Sequence, residues 1–358
     1  MQFETLAASA LVVRIVPMMV PVIAFAAIRS SSDFRSVSVA MGAVALAALP
    51  VGIIAGFWSE EGLPFWLRSV DAFSFGGSEL RSGLPAVSFV FSTPAVLSTT
   101  MGATAFLSIA GIKMKEVSTS WKLLLSAMAI SSLFLILLST RRGMLIIGVI
   151  ALISFFWGQS NTKVLSSKIT FYAILIIGIF ISVNIFGFND GYHNLSRFDF
   201  ITSVDYGRRI NEVFLGLWSF WLDATPLGTG LGTAGPEANA LNISTHHSIS
   251  SVVEVGIAQL QVEMGTLGVF GFPVIMIAIA YGLYSRSKNT DVEGPVFTLI
   301  LFLISIFLLF YIKEKSILTG MWVVVMSFWA TPGICAALIV RDREKRAALN
   351  GPLTKPNE

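Results

Sequence analysis

Long apolar runs broken by short polar stretches dominate this chain. The runs fall near 8–28, 36–57, 88–111, 121–139, 143–158, 169–188, 264–284, 295–312 and 317–340. Most match the roughly 20 helical residues needed to cross a hydrocarbon core of about 30 Å. The pattern therefore predicts about nine membrane helices. Segment 143–158 is short, and 88–111 carries Pro94 with several Ser and Thr, so irregularity is expected at these two. The longest polar break covers 189–263. Inside it, Asp205 to Ala224 reads DYGRRINEVFLGLWSFWLDA, where Ile210, Val213, Phe214, Leu217, Trp218 and Trp221 keep helical spacing on one face. Tryptophan at the apolar edge points to a helix lying along the membrane surface.

The expected fold is an all-α polytopic membrane protein. A single transmembrane domain covers 1–340, with 189–263 inserted as one large extracytoplasmic loop containing amphipathic helices. Residues 341–358 form a basic cytoplasmic tail.

Composition agrees with the pattern. Of 358 residues, 54% are hydrophobic and 13% charged, against roughly 25% charged in soluble domains. The first apolar run lacks a small-residue cleavage site after a basic start, so it reads as a membrane helix rather than a leader. The lone cysteine, Cys335, excludes an internal disulfide and a cysteine-based metal site.

Charge sets the orientation. Counting alternate loops puts 14 basic residues on one face, including Arg29, Arg35, Lys113, Lys115, Lys122, Arg286, Lys288 and the RDREKR tail, and 9 on the other. The richer face is expected in the cytoplasm, which leaves the long polar loop outside. With nine spans this puts the N-terminus outside, which is unusual without a leader and points to a miscounted span or to a start site downstream of further helices.

Candidate chemistry gathers on the outer face. All three histidines (His193, His246 and His247) lie between residues 190 and 250. A histidine near neutral pH can take a proton from an attacking hydroxyl, and His246 and His247 carry that reading beside the plainer one of a hydrogen-bonded loop histidine. A metal would need a further ligand such as Glu254 or Asp190, and the spacing matches no metal motif. Arg208 and Arg209 open the surface helix at the end where a cation is disfavoured unless an anion binds there too. The turn L-L-S-T-R-R-G places Arg141 and Arg142 between two spans and, by parity, on the external face, where topology alone does not explain them. Arg81, after a Gly-Gly pair, reads either as an interfacial anchor or as an arginine at the mouth of an external cavity. The G-T-G-L-G run at 228–232 lacks the strand and helix of a dinucleotide-binding unit and reads as a tight turn after Pro226. Glu263 stands where the chain enters the bilayer, a costly place for a carboxylate without a partner, and an external arginine is the expected one.

These pieces together resemble the O-antigen ligase and polymerase superfamily of bacterial polysaccharide assembly. The resemblance is carried by Arg81-Ser-Gly followed by Pro94, the S-T-R-R-G turn at 139–143, and G-R-R at 207–209 leading into an aromatic helix. It continues with P-L-G-T-G-L-G at 226–232 and with His246 and His247 ahead of E-M-G-T-L-G at 263–268. The order and rough spacing hold over residues 80–340. Two departures stand out. Here 16 or 17 positions separate the histidines from the E-x-G-x-x-G element, where the family usually has about ten, and Glu254 occupies the place where some polymerase-like relatives carry a glutamate. Relatives also have about twelve spans, so roughly three N-terminal helices have no counterpart here.

The resemblance implies a metal-independent, inverting glycosyl transfer in the bacterial inner membrane, without a cofactor. The donor would be an undecaprenyl-pyrophosphate-linked glycan and the acceptor a second glycan. Membrane lipids and other polysaccharide-assembly proteins would be partners, and nucleic acid would not. Arg141 or Arg142 and Arg208 or Arg209, with Arg81 at the mouth, would bind the pyrophosphate. His246 or His247, or Glu254 in their place, would orient or deprotonate the acceptor hydroxyl. The leading expectation is a polymerase of repeat units for surface or exopolysaccharide. The nearest rival is a ligase acting on a lipid A-core-type acceptor. A transporter or flippase of an anionic lipid-linked sugar is the rival from another class, and it predicts charges within spans and internal repeats, of which only Arg14 is present.

Overall fold

A computed structural model of the chain describes residues 17, 19–57, 94–115, 117–139, 142–156, 227–228, 256–312 and 322–350. Every regular element among the described residues is helical. After helical residues 19–27 come α1 (Ser31–Phe57), α2 (Pro94–Ile112), α3 (Thr119–Leu138), α4 (Arg142–Phe156), α5 (Gly256–Ser287), α6 (Glu293–Ile312) and α7 (Trp322–Asn350). Four stretches are long and apolar enough to cross a membrane: Ser31–Ile53, Thr119–Leu138, Glu263–Ser287 and Glu293–Tyr311. The chain is a membrane protein. Val96–Ile112 and Ile146–Phe156 are shorter apolar helices. The expected span at 169–188 and most of the loop at 189–263 lie outside the described residues.

Local chemistry explains several boundaries. Ser30 caps α1, its hydroxyl accepting the Asp33 amide at 3.2 Å, while the Asp33 carboxylate accepts the Arg29 amide at 3.0 Å. Pro94 opens α2 rather than interrupting it, because the first helical position needs no amide donor. At the end of α3 the Ser139 amide donates to the Leu135 carbonyl, and α4 begins at Arg142. α7 continues well past the membrane boundary expected at residue 340, so the basic tail begins as helix.

The chain divides into two compact units. One comprises Val39–Ile109 and Leu123–Arg208. Here α2 is buried on nearly all sides, with Leu97, Met101, Ala105 and Phe106 fully enclosed. Glycines bring its helices close, a packing mode suited to lipid, where hydrophobicity alone does not drive helices together. Met128 of α3 lies over Gly42 of α1, and further along the same pair a Cβ on Gly52 would meet Leu135 Cδ2 at 2.5 Å. Both contacts advance in the same chain direction, so α1 and α3 run parallel. Gly102 makes room for Met144, whose sulfur lies 3.8 Å from the Thr99 hydroxyl. Buried hydroxyls bond back into their own helix, Thr100 to Val96, Thr104 to Thr100 and Ser132 to Met128, each at 2.8 Å.

The other unit comprises Met1–Ser38, Ala110–Lys122 and Arg209–Glu358. Its core is α5, α6 and α7. α5 and α6 are antiparallel, with Tyr284 beside Phe297 near one end and Phe272 beside Phe307 toward the other. Phe272 also faces Trp329 of α7. Pro273 sits inside α5 and has no amide to offer the carbonyl of Val269, four residues back. The Tyr311 hydroxyl of α6 donates to that carbonyl at 2.7 Å. Bare carbonyls are costly in lipid, so the tyrosine makes the proline tolerable. On the outer side of α5, Leu267, Phe270, Val274, Ile277 and Tyr281 are each at least half exposed and recur at alternating steps of three and four, a face suited to acyl chains.

Two stability predictions follow from this packing. A Cβ on Gly333 of α7 would collide with the backbone carbonyl of Pro21, whereas one on Gly282 meets nothing within 4 Å. Thermal unfolding in detergent should show Gly333→Ala destabilised by about 1–3 kcal/mol and Gly282→Ala neutral or slightly stabilised. Tyr311→Phe should cost about 1 kcal/mol in the native background, and clearly less when combined with Pro273→Ala, which returns an amide donor to the Val269 carbonyl.

Candidate functional site at the glycine break of α5

α5 is not a continuous helix. Gly265 takes φ 61° and ψ −155°, outside the helical region and in a part of backbone space that is essentially closed to residues with a Cβ. The break falls inside the E-M-G-T-L-G segment. Against it lies Gly228, with φ 72°. A Cβ on Gly228 would stand 2.5 Å from the carbonyl carbon of Glu263, 2.6 Å from its oxygen and 2.6 Å from the nitrogen of Gly265. Two backbones therefore touch here, and the P-L-G-T-G-L-G and E-M-G-T-L-G segments meet. The turn expected after Pro226 is present at Leu227–Gly228. The long-range contact it makes was not expected, because φ-permissive glycines signal a local turn and carry no information on what they touch.

Glu263 lies at this contact and is 2% exposed, with Gln261 at 6% and Leu260 at 3% beside it. It is not without a partner, as a buried carboxylate requires. Glu263 also begins the stretch of α5 able to cross a membrane. From Glu263 to Ser287 the helix rises roughly 37 Å at 1.5 Å per residue, so the glycine break and the α5–α6 turn occupy opposite ends of this unit.

The other end is charged. Asp291, in the α5–α6 turn, pairs with Lys115 and lies 3.2 Å from Arg346 Nη2 of α7. Arg346 Nε stands 2.9 Å from Asp342 Oδ2 as a charge contact without hydrogen-bond alignment. Arg346 also donates to the Asn289 carbonyl at 3.1 Å, and Arg343 to the Arg286 carbonyl at 2.9 Å, which satisfies acceptors at the end of α5 and in the turn that follows. Arg35 stacks over Trp121 and Arg341 over Phe25, at 5.3 and 5.9 Å. Loops that share one face in the charge count are thus in contact. Burial pushes the Lys113 amine down to about 8. The hydrogen bond from Lys115, aided by Arg346, holds the exposed Asp291 carboxyl below its ordinary 3.8.

Most of the expected site residues lie outside the described residues: Arg81, Arg141, Arg208, Arg209, His246, His247 and Glu254. Arg142 opens α4, and its side chain is outside them as well. Among the described residues no three His, Cys, Asp or Glu side chains converge to hold a metal ion. Of the expected set, the structure therefore brings together the two glycine segments, at Gly228 and Gly265, and the buried Glu263. No protein-family model matches the chain, and no match to a curated protein is found.

A carboxyl whose pKa is lowered by folding stabilises the fold above its unfolded value, and that contribution disappears as pH falls through the lowered one. The thermal midpoint of the native chain should accordingly fall relative to Asp291→Asn as pH is taken below about 3.8, and the two should run parallel at neutral pH and above.

Proposed function

We propose that this chain is a membrane glycosyltransferase that polymerises undecaprenyl-pyrophosphate-linked oligosaccharide units on the extracytoplasmic face of the bacterial inner membrane. The observation that carries this reading is the contact of Gly228 with Glu263 and Gly265. It joins two motifs that the resemblance orders along the chain but that nothing local requires to meet. The charged end of the α5–α7 unit supports the orientation: a cytoplasmic position for Lys115, Arg286, Lys288 and the α7 cations leaves the glycine break outside.

In this reading the acceptor hydroxyl oxygen attacks the anomeric carbon of the donor from the side opposite the pyrophosphate. The new glycosidic bond forms as the bond from anomeric carbon to phosphate oxygen breaks, and undecaprenyl pyrophosphate leaves with the electron pair. His246 or His247 orients the acceptor and receives its proton, with Glu254 as the alternative at that position. Arg141 or Arg142, and Arg208 or Arg209, hold the pyrophosphate through paired guanidinium hydrogen bonds. They also stabilise the charge that grows on it as the bond breaks. Arg81 stands at the mouth through which the anionic donor arrives.

The test is the lipid-linked glycan profile of cells carrying His246→Ala/His247→Ala or Arg141→Ala/Arg142→Ala at matched membrane expression. Long chains should fall by roughly 10²-fold or more, with single lipid-linked units accumulating. Long lipid-linked chains accumulating instead would reassign the protein as a ligase. A glycan profile unchanged in both double mutants would remove the catalytic reading.

A further inference from the structure

Gly228 is constrained in two independent ways. Its φ of 72° asks for glycine or, at some cost, asparagine. The backbone of Glu263 and Gly265, within 2.6 Å of where a Cβ would stand, admits neither asparagine nor alanine. Gly265 is constrained by its own conformation. Gly268, three residues on, is constrained by its own helix, with Met264 Cβ 2.4 Å and the Leu260 carbonyl oxygen 2.9 Å from a Cβ position, whereas Gly271 and Gly282 have nothing within 4 Å. The demand for a bare backbone on α5 thus gathers around the break, between Leu260 and Gly268, and the chain segment that meets the break from outside the helix does so at the backbone of the buried Glu263. Whatever displaces Gly228 must push on Glu263, because the carbonyl of Glu263 is what Gly228 rests against.

We propose that Gly228 and Gly265 form a backbone clasp that positions the glycine-rich segment and Glu263 for glycosyl transfer, an inference that rests on the reaction proposed above. The clasp fixes the separation of two chain segments without a side chain, so it tolerates no substitution that adds a carbon at residue 228. Its role is positional: neither glycine touches the reacting atoms.

The test uses the full chain in lipid nanodiscs, with single lipid-linked units extracted from host membranes as the donor probe. It compares Gly228→Ala and Gly228→Asn with Gly271→Ala. Amide exchange over Gln261–Val269 should quicken in both Gly228 variants and not in Gly271→Ala, while α6 keeps its protection in all three. Turnover should fall by roughly 10²-fold, as small displacements of a reacting geometry do, with KM for the donor unchanged. Gly228→Asn, which accepts the φ but not the contact, should behave like Gly228→Ala. Recovery by Gly228→Asn would overturn the contact as the cause. Unchanged exchange would overturn the clasp itself. Quickened exchange with full turnover, or activity lost only in proportion to folded protein, would overturn the positioning role. An inert native chain would overturn glycosyl transfer and with it that role, while the exchange pattern would still decide whether the clasp exists.

Discussion

A backbone in hydrocarbon has no water to bond, so each amide and carbonyl must find its partner inside the protein. The described helices obey this constraint even where the sequence departs from regularity. Pro273 leaves the Val269 carbonyl without its usual donor, and Tyr311 supplies one from the neighbouring helix. Buried Thr100, Thr104, Ser132, Thr298 and Thr331 turn their hydroxyls onto carbonyls of their own helices. The departure at Gly265 is of another kind. It lies where the membrane-crossing part of α5 begins, and a second stretch of backbone, at Gly228, is packed against it. Irregular backbone at membrane depth is tolerated where protein covers it, and the cover here is the glycine turn.

The two ends of the α5–α7 unit divide the work. At one end side chains do the joining, with Asp291 linking Lys115 to Arg346 and arginines satisfying the carbonyls of Arg286 and Asn289. Such contacts are exposed, screened by salt and individually weak. They mark a face more than they hold it. At the other end backbone meets backbone, with no charge among the touching atoms and no freedom to adjust. The two ends of α5 are thus joined to their neighbours by different means, charge at one and close backbone contact at the other.

Much of the helical framework was legible in the hydropathy pattern. Expected spans at 121–139, 143–158 and 295–312 correspond to Thr119–Leu138, Arg142–Phe156 and Glu293–Ile312, because burial in lipid selects long apolar runs whatever their neighbours are. What stayed hidden depends on distant residues. Pro94 looked like an interruption and proved to be a helix start. Pro273 raised no expectation of a tyrosine partner in the next helix. Gly228 read as a turn, while its contact with Glu263 depends on a segment the chain reaches only after a long excursion. The α7 extension was missed because its charged residues end the apolar run without ending the helix.

The placement of cations sharpens the functional reading. In the α5–α7 unit every described lysine and arginine belongs to the charged end or to the helix and loop ends beside it, roughly 37 Å along α5 from Glu263. None of them can serve a pyrophosphate at the glycine break. If the proposed reaction takes place there, its cations must come from residues outside the described ones. The same reasoning limits Glu263. A carboxylate 2% exposed would repel an anionic donor unless its own charge were answered first. Glu263 is buried and already engaged with a partner, so its part in the proposed reaction is positional, held by protein beside the Gly228 contact.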